Sequence, residues 1–181
     1  MTKVSILIPT YNERNNVVPL LQRILHTLAH EEIEVVVIDD NSPDGTGDVI
    51  QSTFGQDERV KLLRRQGKMG LGSAIMDGLN LSSGKYIITM DADLSHSPDD
   101  LLKLLAPSEY TDIVVGSRYI EGSHIKGWPL IRKIASIVAV RLSHVLINIP
   151  VKDTTSGFAL FRRKVLADIF PQLDPKGFKF L

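Results

Sequence analysis

The chain has 181 residues, 43% hydrophobic and 23% charged, which suits one domain with a proper core and is short for two. It contains no cysteine, which excludes disulfides and thiolate metal sites and fits a reducing compartment. The formal net charge is zero, yet residues 1–115 carry 10 Lys/Arg against 17 Asp/Glu and residues 116–181 carry 11 against 4. An acidic first part and a basic last part suggest two jobs, although uneven surface charge alone gives the same count.

Met1-Thr2-Lys3-Val4 runs straight into an apolar strand, too short for the core and cleavage site of a signal peptide. Lys3 to Pro9 is a β-branched apolar run closed by proline, hence a buried strand. Asn12 to Asn15 then opens a helix with Val17, Leu20, Leu21, Ile24, Leu25 and Leu28 at helical spacing. Glu34 to Ile38 reads as a second buried strand, Asp39 to Gly47 as a turn-rich loop, and Asp48–Phe54 as a helix. A short strand at Val60–Leu63 precedes a glycine-bearing loop, Gly67 to Gly72, which opens a helix through Leu81. Lys85 to Met90 is a strand, Pro98 to Leu105 a helix, and Asp112 to Gly116 another strand.

Strands alternating with helices at this spacing argue for an α/β fold with a mainly parallel sheet. Such sheets bind ligands at the carboxyl ends of their strands. Three of those ends carry acids: Glu13 after the first strand, Asp39-Asp40 after the second, and Asp91-Ala92-Asp93 after the Lys85 strand. The acids therefore converge on one rim.

Where the chain turns beyond a strand, Asp91 and Asp93 can both approach one hard divalent cation, with Ser95 or His96 adding a ligand or a water contact. The tripeptide alone equally suits a polar loop; its place after an apolar strand favours the metal. Asp40 is the candidate acceptor for a ribose or base, whereas Asp44 serves the turn and Asp48 lies near the next helix cap. In Gln66-Gly67-Lys68-Met69-Gly70-Leu71-Gly72, Lys68 can contact a phosphate, but a plain helix cap explains the glycines as well. His26 and His30 stand i,i+4 on a surface helix and read as solvated. Trp128 to Ile149 is a basic amphipathic stretch, interrupted by Arg132, Lys133 and Arg141, so it does not span a membrane; it suits either a core helix or a membrane interface.

Six motifs occur in order: Pro9-Thr-Tyr-Asn-Glu13, Asp39-Asp40-Asn-Ser-Pro-Asp-Gly45, Gly70-Leu-Gly72, Asp91-Ala-Asp-Leu-Ser-His96, Gly116-Ser-Arg-Tyr119 and Asp153-Thr-Thr-Ser-Gly-Phe158. Together they resemble the dolichol-phosphate mannosyltransferases among the family-two inverting glycosyltransferases, over essentially the whole chain. The resemblance implies a GT-A (Rossmann-like) nucleotide-sugar-binding fold. It also implies transfer of mannose from GDP-mannose to a polyprenyl (dolichyl) phosphate, with Mg²⁺ or Mn²⁺. Pro9, Tyr11, Glu13, Ile38 and Asp40 would hold the guanosine, and Asp91, Ala92 and Asp93 the donor. Asp91, Asp93 and Ser95 would lie near the metal, and Arg118 would reach a phosphate.

With a lipid acceptor, the membrane-interface reading of 128–149 gains ground, and the basic last third attracts lipid phosphate. The implied place is peripheral, on the cytoplasmic face of a membrane, with no nucleic-acid partner. The division follows: 1–117 binds the donor and 118–181 faces acceptor and membrane, within one domain. Arg132, Lys133 and Ser156 are the acceptor-side candidates. Two departures stand out. Ala159 follows Phe158 where many relatives soon place an arginine, leaving Arg132, Lys133 or Arg162 to replace it. Relatives also continue past Leu181 with a helix and a basic loop, which implies a truncated chain or one that closes its site differently. Two further readings keep the nucleotide sugar: UDP-glucose as donor to a lipid phosphate or another acceptor, and binding without turnover.

Overall fold

A computed structural model describes residues 4–117, 153 and 156–169. Its centre is strand β1 (Val4–Thr10), flanked by β2 (Ile33–Asp39) and β4 (Tyr86–Thr89). β3 (Val60–Arg64) lies outside β2, and β6 (Ala159–Arg162) and β5 (Ile113–Val115) lie outside β4, giving the order β3-β2-β1-β4-β6-β5. β1 pairs in parallel with β2 and β4, and β2 with β3. β6 runs antiparallel between β4 and β5.

The side-chain period of two explains why these runs are apolar throughout. Ile6 and Ile8 face one side of the sheet with Val35 and Val37, against α1 (Arg14–Thr27), α2 (Thr46–Phe54) and α4 (Leu101–Leu105). Leu7, Val36, Ile38 and Ile87 face the other side, against α3 (Leu71–Leu81) and α5 (Arg163–Ile169). Burial on both faces fixes the register, because a one-residue slip would exchange the two cores.

The five strands expected from sequence all form, and the sheet is mainly parallel as expected. α2 starts two residues earlier than the apolar pattern suggests, and a 3₁₀ turn at Pro98–Asp100 precedes α4. β6 was not anticipated: four residues, Ala-Leu-Phe-Arg, are too few to show a period. It also crosses the functional division drawn at residue 117, since a strand from the later part fills the sheet between β4 and β5. Strand order leaves β1 in opposite directions toward β2 and β4, so the switch point lies at the carboxyl ends of β1 and its neighbours.

Candidate active site

Beyond three parallel strands, a non-glycine residue takes a left-handed backbone: Asn12 (φ 61°) two residues after β1, Asn41 (φ 55°) two after β2 and Leu94 (φ 61°) five after β4. Asparagine tolerates this conformation; leucine does so at a cost of about 1 kcal/mol or more. The turns at Asn41 and Leu94 directly follow the rim acids Asp40 and Asp93, and the turn at Asn12 directly precedes Glu13. Between them opens a cleft of about 280 Å³, lined by Pro9 in β1, Tyr11 and Glu13 just beyond it, Asp40 just beyond β2, and Asp91, Ala92 and Asp93 beyond β4. Lys68, Gly70 and Leu71, before and at the start of α3, close the other side. Lys68 reaches across it, with Nζ 4.4 Å from the Tyr11 ring centroid. Gly70 needs to be glycine, because it caps α3 with φ 97°.

The paired acids of β2 divide their work. Asp39 is buried and accepts hydrogen bonds from Thr10 Oγ1 (3.0 Å) and from the backbone and hydroxyl of Ser42, so it builds the turn. Asp40 faces the cleft and pairs with Arg65, whose Nη1 donates to Oδ1 at 2.7 Å. Asp44 serves the turn as expected: Thr46 donates to it from backbone and hydroxyl, and Arg14 from its backbone. Asp48 sits in the first turn of α2 and pairs with Arg64 at 2.8 Å.

At the end of β4 the two carboxylates share one turn. Burial opposes ionisation of Asp93, but hydrogen bonds from the Ser95 hydroxyl and backbone outweigh it. They hold the carboxyl below the usual aspartate range, so Asp93 is an anion at neutral pH. Ser95 thus supports Asp93 directly, its N–H donating to Oδ1 at 2.9 Å. The Asp91 backbone N–H donates to His96 Nδ1 at 3.2 Å, and His96 stacks on Phe158 with ring centroids 5.0 Å apart. Gly157 backs Asp91 so closely that an added Cβ would lie 3.3 Å from Oδ2. Among the described residues, no three His, Asp or Glu side chains form a complete metal cage. Two carboxylates on one turn form an incomplete set that ligand oxygens can finish, which is the donor chemistry Mg²⁺ and Mn²⁺ accept.

Three expectations need correction. The Ile38 side chain is fully buried in the core against α3, not in the cleft, because Ile38 lies within β2 whereas Asp40 stands just beyond the strand's end, at the rim. Ser156 is buried and its hydroxyl is spent on structure, donating to the Gly116 carbonyl at 2.7 Å and accepting from the Phe158 N–H. Arg162 cannot replace an acceptor-side arginine: the antiparallel register puts it beside Tyr86, at the opposite edge of the sheet, paired with Asp112 at 2.8 Å. Arg118, Arg132, Lys133 and the 128–149 stretch lie outside the described residues. Among the described residues, no helix is long and apolar enough to cross a membrane. Sequence reasoning missed Arg65, Gly157 and the packing of His96. An arginine just past a strand end was the available signal for the first; the others depend on β6, which no pattern announced.

Residues 5–170 match the family model described as glycosyl transferase family 2. The chain belongs to that family. This family-two chain is 40% identical over 182 residues to a dolichol-phosphate mannosyltransferase of Pyrococcus furiosus, covering 99% of itself and 51% of that protein. It is 37% identical to a polyprenol monophosphomannose synthase of Mycolicibacterium smegmatis, covering 97% of itself and 68% of that protein. It therefore spans about half the length of the first relative and two thirds of the second. Among solved structures it is similar to glucosyl-3-phosphoglycerate synthase from Mycobacterium tuberculosis, in complex with Mn²⁺, UDP-glucose and phosphoglyceric acid. That match has a TM-score of 0.66 at 19% identity, over 91% of this chain and 58% of that one. At that identity the likeness shows the fold, and the GT-A fold expected from the motifs is the one observed.

Proposed function

We propose that this family-two chain carries the donor site of an inverting mannosyltransferase that uses GDP-mannose and a polyprenyl phosphate. The observation that carries the reading is the single cleft into which Tyr11, Glu13, Asp40, Lys68, Asp91 and Asp93 converge from four separate segments. Lys68 supplies a cation for the diphosphate, and Tyr11 with Asp40 forms the wall for the nucleoside. The names of the two relatives at 37–40% identity supply the sugar and the acceptor class.

In the proposed reaction, an oxygen of the acceptor phosphate forms a bond to the anomeric carbon while the bond from that carbon to the diphosphate breaks. The configuration inverts and GDP departs with the electron pair. The acceptor is already anionic, so no strong general base is needed, and positioning with charge stabilisation carries the rate. Asp91 and Asp93 would hold Mg²⁺ or Mn²⁺, with Ser95 fixing Asp93; the Mn²⁺ named with the mycobacterial structure fits that donor set. When bound, the cation supplies positive charge against the diphosphate. Arg118, Arg132 and Lys133 are the basic candidates for the phosphates, and the basic 128–149 stretch would bring the enzyme to the cytoplasmic face of a membrane as a peripheral protein.

The test is incubation of the chain with GDP-mannose, a short polyprenyl phosphate and Mn²⁺, following GDP release and the mannosyl lipid together. Equal amounts of both are expected, with little product from UDP-glucose. Equal turnover of UDP-glucose overturns the donor assignment, and nucleotide binding with no lipid product reduces the chain to a donor-binding unit. Flotation with anionic vesicles checks the membrane reading; a chain that stays in the aqueous fraction contradicts it.

A further inference from the structure

Arg65 belongs to no motif singled out in the sequence, yet it is among the most committed side chains near the cleft. It follows β3 directly, and its side chain is 3% exposed. Its backbone N–H donates to the Asp39 carbonyl at 2.8 Å, which extends the β2–β3 ladder by one step. The guanidinium then reaches four groups. Nη1 donates to Asp40 Oδ1 at 2.7 Å and lies 3.4 Å from the Gly70 carbonyl. Nη2 donates to Ser73 Oγ at 2.6 Å. Nε stands 3.0 Å from Asp77 Oδ2, an ion pair that falls short of hydrogen-bond alignment.

These partners include both walls of the cleft. Asp40 is the nucleoside-side acid from β2, whereas Gly70 and Ser73 belong to the start of α3, next to Lys68. Ser73 also approaches the Met69 and Gly70 carbonyls, at 2.8 and 2.9 Å, so its hydroxyl relays the arginine's hold to the loop. Buried arginine is costly unless its charge is met, and here two carboxylates meet it. Among the described residues Asp40 Oδ2 has no hydrogen-bond donor, so pairing through Oδ1 leaves one acceptor oxygen for a ligand. Lysine cannot reproduce the arrangement, because a single ammonium lacks the planar fork that meets Asp40, Ser73 and Asp77 at once.

We infer that Arg65 is a positioning residue of the nucleotide site: it fixes Asp40 as a one-oxygen acceptor and holds the Lys68–Gly70 loop at the matching distance. The inference rests on the cleft being the nucleoside-diphosphate site, and deepens that reading by naming what sets the spacing of its walls. Its consequence is thermodynamic coupling between Arg65 and Asp40 in nucleotide affinity, which a merely structural arginine would not show.

The experiment is calorimetric titration of GDP with Mn²⁺ into the 181-residue chain and into Arg65→Lys, Asp40→Asn and the double variant, with Tm recorded for each. Each single change is expected to weaken GDP binding by about tenfold or more, and the double variant by no more than the larger single effect. Arg65→Lys with wild-type affinity, or single effects that multiply in the double variant, overturns the inference. Should Arg65→Lys fail to fold, Ser73→Ala removes one relay alone and is expected to weaken GDP binding about threefold; unchanged affinity there overturns it too. A wild-type chain that binds neither GDP nor UDP defeats the nucleotide-site reading itself. One that prefers UDP, with Arg65 and Asp40 still coupled, defeats only the guanosine assignment.

Discussion

The two edges of the parallel sheet treat their acids in opposite ways. At the amino edge, Glu34 is 3% exposed and saturated. It accepts from Ser5 Oγ (2.7 Å), from the Ser83 backbone and hydroxyl, from the Gly84 N–H and from Lys61 Nζ (2.6 Å). Arg163 braces the same edge, donating to the carbonyls of Gly84 and Leu79 and to Ser82 Oγ. At the carboxyl edge, Asp40, Asp91 and Asp93 line an open cleft, and the backbone beyond each strand is turned left-handed to keep them there. One edge spends its charge on holding strands together. The other uses Asp39 for its turn but sets Asp40, Asp91 and Asp93 around the cleft, where the proposed cation would offset their charge. Acidic residues at strand ends are therefore not equivalent, and their partners tell which serve folding.

That contrast predicts separable losses. The largest concerns Asp91→Asn or Asp93→Asn, each expected to cut transfer by about 10²-fold or more while stability moves by about 1 kcal/mol or less. GDP release and a denaturant melt on the same samples check both halves, and an equal loss of stability would erase the distinction between the edges. Glu34→Ala should do the reverse, costing about 3 kcal/mol of stability by stranding buried donors and a cation, with GDP affinity per folded molecule unchanged.

The pH dependence sharpens the same point. Burial opposes the charge on Glu34, but Lys61, Ser5 and Ser83 outweigh it and bring its pKa from 4.5 to about 2. A carboxyl lowered in this way stabilises the fold fully above pH 4.5 and loses that contribution as pH falls toward 2, a loss of about 3 kcal/mol. The stability difference between wild type and Glu34→Gln should shrink across that window; a constant difference contradicts the assignment. The smallest expected effect is Gly157→Ala. Its Cβ would press on the Asp91 carboxylate at 3.3–3.4 Å, lowering transfer about fivefold with little change in Tm. Unchanged turnover would mean that Asp91 has room to spare.

Much of this was legible in the chain because apolar runs with period two or 3.6 report burial directly. The runs around Ile6, Val36 and Ile87 marked their strands, and the acids after them marked the rim. Ile38 was misjudged because a motif gives a position and not a depth: Ile38 is still inside β2, and only Asp40, past the strand's end, reaches the rim. Ser156 was misjudged for a related reason: a hydroxyl in a polar motif reads as available until the carbonyl it serves, that of Gly116, is seen 40 residues away. β6 left no pattern, and with it went Gly157 and Phe158, whose contacts with Asp91 and His96 exist only once that strand is inserted beside β4. Arg65 was hidden differently: its place just past β3 was visible, but its partners lie beyond β2 and at α3, far from it in sequence.

The central claim is that Asp91 and Asp93 hold a divalent cation together with a nucleoside diphosphate. Titration of Mn²⁺ followed by electron paramagnetic resonance, with and without GDP, tests it most directly. Wild-type chain should bind the ion tightly only when GDP is present, and Asp93→Asn should lose that ternary signal. Retention of the same GDP-dependent Mn²⁺ signal in Asp93→Asn and Asp91→Asn would contradict the account.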